Sequence, residues 1–286
     1  DLYETSFPNI YTYFFKFPGY PDLGIEAEQA QRNLEQFQEI VDMAHRRGIQ
    51  VGLMNYSTWT RVKGRDNPDE LYGEQLIDYT ASSVQALLEA VPELDFFGFR
   101  IGESGAREDF FRRAYLEGIR AAGAQRVKLY TRSWHAKKED VAAIADQYEG
   151  RMFIEIKYNG EHLGMPYPVS GGWMAQFGPS YAYQDYTSKP SVMPIIWQIR
   201  ANGTHRIFPW GDPEFAARSV RAAQFGDSSG YTVEPMTAYY PLTDYYTNQV
   251  NRDSTWMRYL TGRDWFWYEL WGRLGYDPGT PEQVWI

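Results

Sequence analysis

The sequence predicts an α/β fold, a (β/α)8 TIM-type barrel short of one or two N-terminal strands, and three observations carry that expectation. Short apolar runs alternate with amphipathic helical stretches along the chain, the pattern of parallel strands joined by crossover helices. Six such units follow one another without a break that would reverse a sheet, which favours closure into a barrel over a doubly wound sheet. The chain has 286 residues, 43% of them hydrophobic, close to the size at which a single core stops growing. Residues 1–286 are therefore read as one barrel domain with a C-terminal helical segment at 251–286.

The elements follow in order. The run NIYTYFFKFPGYPDLG near the start is aromatic but carries Pro and Gly, and reads as a loop from a barrel mouth. From Glu26 to Arg47, Leu34, Phe37, Ile40, Val41 and Ala44 recur at helical spacing, and HRRG supplies basic residues and a stop glycine. That helix feeds the strand Val51–Asn55. A helix within Pro68–Ala90 leads to the strand Phe96–Ile101, and one from Arg107 to Ala122 leads to Val127–Arg132. A helix over Lys138–Gln147 precedes Met152–Lys157, after which a long loop rich in Gly, Pro and Tyr reaches the strand Pro194–Arg200. The last unit is a helix over Pro213–Phe225, capped by Asp212, and the strand Tyr231–Glu234. Counted back from an eighth strand, the first of these is the third. The chain is thus expected to be part of a larger polypeptide, with earlier barrel strands outside it.

Composition narrows the function classes. The 37 acidic residues outweigh 28 basic ones, a formal charge of -9, which opposes a nucleic-acid surface; with no long Lys/Arg run, it also argues against anionic membranes. No apolar run reaches the roughly 18–20 residues of a spanning helix. The absence of cysteine rules out disulfides, thiolate zinc sites and a cysteine nucleophile. Neither GxGxxG nor a phosphate loop occurs, and no cofactor is expected. The partner that the composition suggests is a carbohydrate. Twenty-three Tyr, 16 Phe and 10 Trp make up 17% of the chain, and flat apolar faces with a polar edge suit sugar rings.

Barrel active sites lie where strands run out into loops, and here each strand ends in polar residues. The candidates for substrate contact are Asn55; Arg100; Arg132, Trp134 and His135; Lys157 and Asn159; Trp197, Arg200, Asn202 and His205; and Tyr239. The candidate catalytic residues are Glu103, Glu161 and Glu234. Such a rim suits glycoside hydrolysis, which needs one carboxylic acid to protonate the leaving oxygen and a second carboxylate to activate water or attack the anomeric carbon, roughly 5–10 Å away. Glu103 stands between an apolar strand and a small-residue turn, and Gly102 and Gly105 are expected to leave room for its approach. Its partner is Glu161 or Glu234. The cations Arg100, Arg132, Lys157 and Arg200 suit an anionic sugar such as a uronic acid. Two other classes compete: a metal-dependent barrel hydrolase using His135, His162 and His205 with Glu161 or Glu103, and a non-catalytic carbohydrate-binding module.

Three segments, DFFGFRIGESGARED, RMFIEIKYNGEHLGMPYP and RDWFWYELWGRLGYDP, resemble the microbial α-glucuronidases that release glucuronic acid from xylan fragments. The resemblance covers Asp95 to Pro278 in scattered blocks. It implies a barrel glycosidase with Glu103 as general acid, Lys157 as a cation near the substrate and Glu161 as a base candidate. The chain departs from that family in carrying Tyr158 between Lys157 and Asn159, and in having no acidic residue between Ile195 and Asp212.

Overall fold

A computed structural model describes residues 9–21, 23–60, 71–102, 104–157, 193–199, 212–224, 227–233 and 254–285, with side chains in the last segment from 265 onward. It is an α/β fold. Six strands, β1 (Gly52–Asn55), β2 (Phe96–Phe99), β3 (Lys128–Arg132), β4 (Met152–Lys157), β5 (Ile195–Ile199) and β6 (Ser228–Val233), hydrogen-bond in chain order in one sheet. The β1–β2, β2–β3 and β5–β6 pairs are parallel. Consecutive parallel neighbours need a crossover connection, and helices α1 (Ala27–His45) and α2 (Gly73–Ala90) flank β1 as the sequence periodicity predicts. The expected N-terminal loop contains a short 3-10 helix, Ile10–Tyr13. No described helix is long and apolar enough to cross a membrane.

The chain divides into two compact units, Asp1–Ile154 and Glu155–Ile286, with the boundary inside β4. In the first unit, strand alternation separates two environments. Phe97 and Phe99 are wholly buried against the helix after β2, Phe99 lying 4.7 Å from Phe111 and 4.8 Å from Tyr115 between ring centroids. On the other face, Phe96 meets Tyr130 and Phe153 edge-on, and Tyr130 lies across Gly98, where a methyl group would come within 2.6 Å of the ring.

The helix after β2 was legible as a single periodic run, yet it changes register twice. It is α-helical over α3 (Glu108–Phe111), π-helical over Arg112–Leu116 and α-helical again over α4 (Glu117–Ala121). Such π turns are short departures of the kind often found near functional sites; this one carries Tyr115, the aromatic that packs under the sheet. Gly118 then admits α2 closely, since a side chain there would collide with Ala81 and Val84. Helix α5 (Lys138–Ala145) completes this unit.

The beginnings of the strands are tied by a polar knot. Asp95, just before β2, accepts from the Val51 N–H at 2.8 Å and bonds His45 Nε2 at 2.8 Å. The last turn of α1 is thereby fastened to the entry of β1 and β2.

In the second unit, β5 and β6 pair from Ile195 to Ile199, with an irregularity between Ile195 and Ile196. Helix α6 (Pro213–Ala223) starts as expected, the Asp212 carboxylate accepting from the Glu214 N–H at 3.0 Å. Helix α7 (Ser254–Tyr276) buries Trp267, Leu270, Trp271 and Leu274. The Tyr231 hydroxyl donates to the Trp271 carbonyl at 2.7 Å.

Candidate functional site

Polar residues that the sequence analysis expects at a substrate site stand at the C-terminal ends of β1, β2 and β3. Register fixes which side chains share it. Asn55 pairs with Phe99, and Gly98 with Tyr130. By alternation, Tyr56, Arg100 and Arg132 lie on the face of Gly98 and Tyr130, whereas Asn55 lies on the helix-packed face of Phe97 and Phe99. Contacts agree with both placements. The Arg100 guanidinium rests 4.0 Å from the centre of the Tyr56 ring, a cation–π geometry.

Arg100 and Arg132 are both deeply buried, at 2% and 8% exposure. Buried charges of this kind are costly unless compensated, and the two lie at the ends of neighbouring strands. Thr131, beside Arg132, donates its hydroxyl to the Phe99 carbonyl at 2.7 Å and locks β2 to β3 at this end.

Asn55 takes a different part from the substrate contact expected of it. Its Oδ1 accepts from the Ile10 N–H at 3.1 Å, and its Nδ2 donates to the Tyr115 hydroxyl at 2.8 Å and to Asn9 Oδ1 at 3.4 Å. The amide pins the N-terminal segment to the helix layer. Burial pushes the Tyr115 phenol up to about 12, so it stays a neutral partner for Asn55 across the physiological range.

The loops beyond the strands interlock at Gly102, Ser104 and Gly105. Gly102 has φ 71° and Gly105 φ 87°, a left-handed backbone that favours glycine. Here the expectation that these glycines leave room for a substrate is corrected. A methyl group on Gly102 would come within 2.5 Å of the His135 carbonyl oxygen and 2.6 Å of that of Trp134, and one on Gly105 would overlap the Trp59 indole nitrogen. The vacant space admits neighbouring loops. Ser104 completes the lock, its carbonyl accepting from the Thr58 hydroxyl at 2.6 Å and the Thr58 N–H at 3.1 Å. Trp134 and His135 lie in the turn after β3, their rings 5.0 Å apart and edge-on, with His135 itself at φ 55°.

In the second unit, Lys157 ends β4 at 5% exposure, and Trp197 is wholly buried in β5 with Ile195 and Ile199. The three candidate carboxylates Glu103, Glu161 and Glu234, with Asn159, Arg200, Asn202, His205 and Tyr239, lie outside the described residues. So do His162 of the metal reading and its partner His205. Among the described residues, no three His, Asp or Glu side chains gather as a metal site. A surface groove of about 460 Å³ along α7 offers Trp265, Tyr268 and Tyr276, and its carboxylate Glu269 is bound by Arg273 at 3.0 Å.

No protein-family model and no curated protein sequence matches the chain. Among solved structures it is similar to a GH138 enzyme targeting pectin rhamnogalacturonan II, with a TM-score of 0.70 at 22% identity over 96% of this chain. The two share a fold. The chain spans 40% of the length of that enzyme. A dihydrodipicolinate synthase from Bacillus clausii aligns over 87% of this chain and 84% of its own at 13% identity, with a TM-score of 0.29.

One residue that the sequence reading passed over stands out at this end of the sheet. Trp59, four residues beyond the end of β1, is 40% exposed while Ser57, Thr58 and Thr60 around it are buried. The available signal was a lone tryptophan in the polar stretch YSTWT immediately after a strand.

Proposed function

We propose that the chain is the barrel portion of a glycoside hydrolase that cleaves a uronic-acid-bearing oligosaccharide or polysaccharide fragment by two-carboxylate acid/base catalysis. In this reading the six strands belong to a (β/α)8 barrel whose remaining strands lie outside the sequence, and both compact units form one catalytic domain. Glu103 protonates the glycosidic oxygen, and Glu161 or Glu234 activates water or attacks the anomeric carbon. The observation that carries the proposal is the pair of buried guanidiniums, Arg100 and Arg132, on one sheet face at the ends of adjacent strands. Arginine forks match a sugar carboxylate in two parallel hydrogen bonds, and strand C-terminal ends are where barrels bind ligands.

The likeness in fold to an enzyme that targets a pectin supports a carbohydrate as the substrate. The position of Glu103 in the sequence, just past the end of β2, supports its role, because barrel catalytic residues come from the ends of strands. The test is hydrolysis of pectin fragments and of aryl uronides, followed by chromatography of the released sugars. Release of a free uronic acid by the protein upholds the reading. No release from either substrate class by the folded protein would overturn it.

A further inference from the structure

We propose that Trp59 is a stacking platform for the sugar ring on the leaving-group side of the bond to be cleaved. The inference rests on the glycosidase reading above and adds a residue that determines which fragments are taken. Trp59 stands on the same end of the sheet as the Gly102–Gly105 loop, and its backbone is unusually well held. The Asn9 N–H donates to the Trp59 carbonyl at 2.8 Å, the Trp59 N–H to Ser57 Oγ at 3.3 Å, and the preceding Thr58 bonds the Ser104 carbonyl through both its N–H and its hydroxyl.

The ring packs at one edge against Gly105. Its indole nitrogen abuts Gly105 so closely that no side chain fits there, and the left-handed φ of 87° at that position already favours glycine. Yet the residue stays 40% exposed. Packing a core does not require such a mount, since burying the ring would gain more than leaving it out. A part-exposed indole packed at one edge against Gly105 suits the C–H face of a sugar, and a tryptophan loses little rotamer freedom when it binds. The division of labour follows from burial: the enclosed guanidiniums suit the charged sugar inside, and the rim indole suits the ring next along.

Two variants and two substrates separate this role from a structural one. Trp59→Ala and Trp59→Phe are compared with the parent on a uronic-acid disaccharide and on the corresponding uronyl fluoride, whose leaving group has no ring to stack. Trp59→Ala should lower kcat/KM on the disaccharide roughly three- to tenfold, chiefly through KM, with Trp59→Phe falling less and the fluoride unaffected. Equal losses on both substrates, or none, would overturn the platform while the glycosidase reading stands. If the parent hydrolyses neither substrate, that reading fails, and 19F NMR of 5-fluorotryptophan-labelled protein decides the platform. The Trp59 resonance, assigned by its disappearance in Trp59→Phe, must then shift on adding pectin oligosaccharides; an unmoved resonance overturns it.

Discussion

Gly102→Ala should destabilise the protein well beyond a glycine substitution at an equally strained but open position, and Gly123 provides that comparison. Both glycines are left-handed, with φ 71° at Gly102 and 65° at Gly123. A residue bearing Cβ pays about 1–2 kcal/mol for that backbone. Nothing lies within 4 Å of a methyl group placed on Gly123, so its substitution should cost only this much. On Gly102 the methyl group meets two backbone carbonyl oxygens, at 2.5 and 2.6 Å, in place of the tip of a flexible side chain. Relief requires moving the turn after β3 or the loop after β2, and overpacking of this kind costs about a further 1–3 kcal/mol. The expected total is about 2–5 kcal/mol, read from urea unfolding with unchanged m, or from Tm at about 2–4 °C per kcal/mol for a chain near this size. Because Glu103 is the next residue, the displaced loop should also reduce kcat on the order of tenfold or more, while Gly123→Ala leaves turnover intact. Equal destabilisation by the two substitutions would refute the interlocked loops.

Asn55→Ala takes the amide partner from the Tyr115 hydroxyl and from the Ile10 N–H and should cost about 1–3 kcal/mol in the same unfolding assay; a raised KM at unchanged stability would make Asn55 a ligand contact instead. The His45–Asp95 knot should give stability a pH signature, measured as the difference between the parent and His45→Gln. The hydrogen bond that His45 donates to the Asp95 carboxylate raises His45 above its usual 6.5, so its contribution is complete below that value and disappears as pH rises through the raised one. Burial alone would raise Asp95, but its bonds with His45 and Val51 hold it below 3.8; its contribution is present above that value and is lost as pH falls through the lowered one. The difference should therefore peak between about pH 4 and 6.5, and a flat profile would contradict it. Lys157→Ala should weaken hydrolysis of a uronic-acid glycoside roughly tenfold to over a hundredfold more than that of its neutral counterpart, the loss of about 1.5–3 kcal/mol in a charge-assisted contact; equal losses would make Lys157 structural.

The strands were legible because parallel strands buried on both faces read as apolar runs, and β2 and β4 show this in FFGF and MFIEIK. Helix periodicity located α1 but not the π turn at Arg112–Leu116, since the buried positions Phe111, Ala114, Tyr115, Gly118 and Ile119 keep α-helical spacing through it. Arg100 and Arg132 were legible as strand-end cations, and register adds that they share a face. Asn55 shows what composition alone leaves open. A polar residue at a strand end serves a ligand or a neighbouring loop equally well, and here its one-residue offset from Tyr56 turns it toward Tyr115. Gly102 and Gly105 were legible as special, but whether a missing side chain admits a substrate or another loop depends on contacts far apart in sequence. Trp59 went unread for the same reason, as its mount is built from Asn9, Ser104 and Gly105.

The central claim is that this rim carries acid-assisted glycoside hydrolysis with Glu103 as the proton donor, and the most direct measurement compares Glu103→Gln with the parent on two leaving groups. An aryl uronide expels a phenolate that needs little protonation, whereas a uronic-acid disaccharide expels a sugar alkoxide that cannot leave without it. The account predicts near-complete loss of turnover on the disaccharide with the aryl substrate largely spared. Comparable losses on both, with the fold intact, would contradict it.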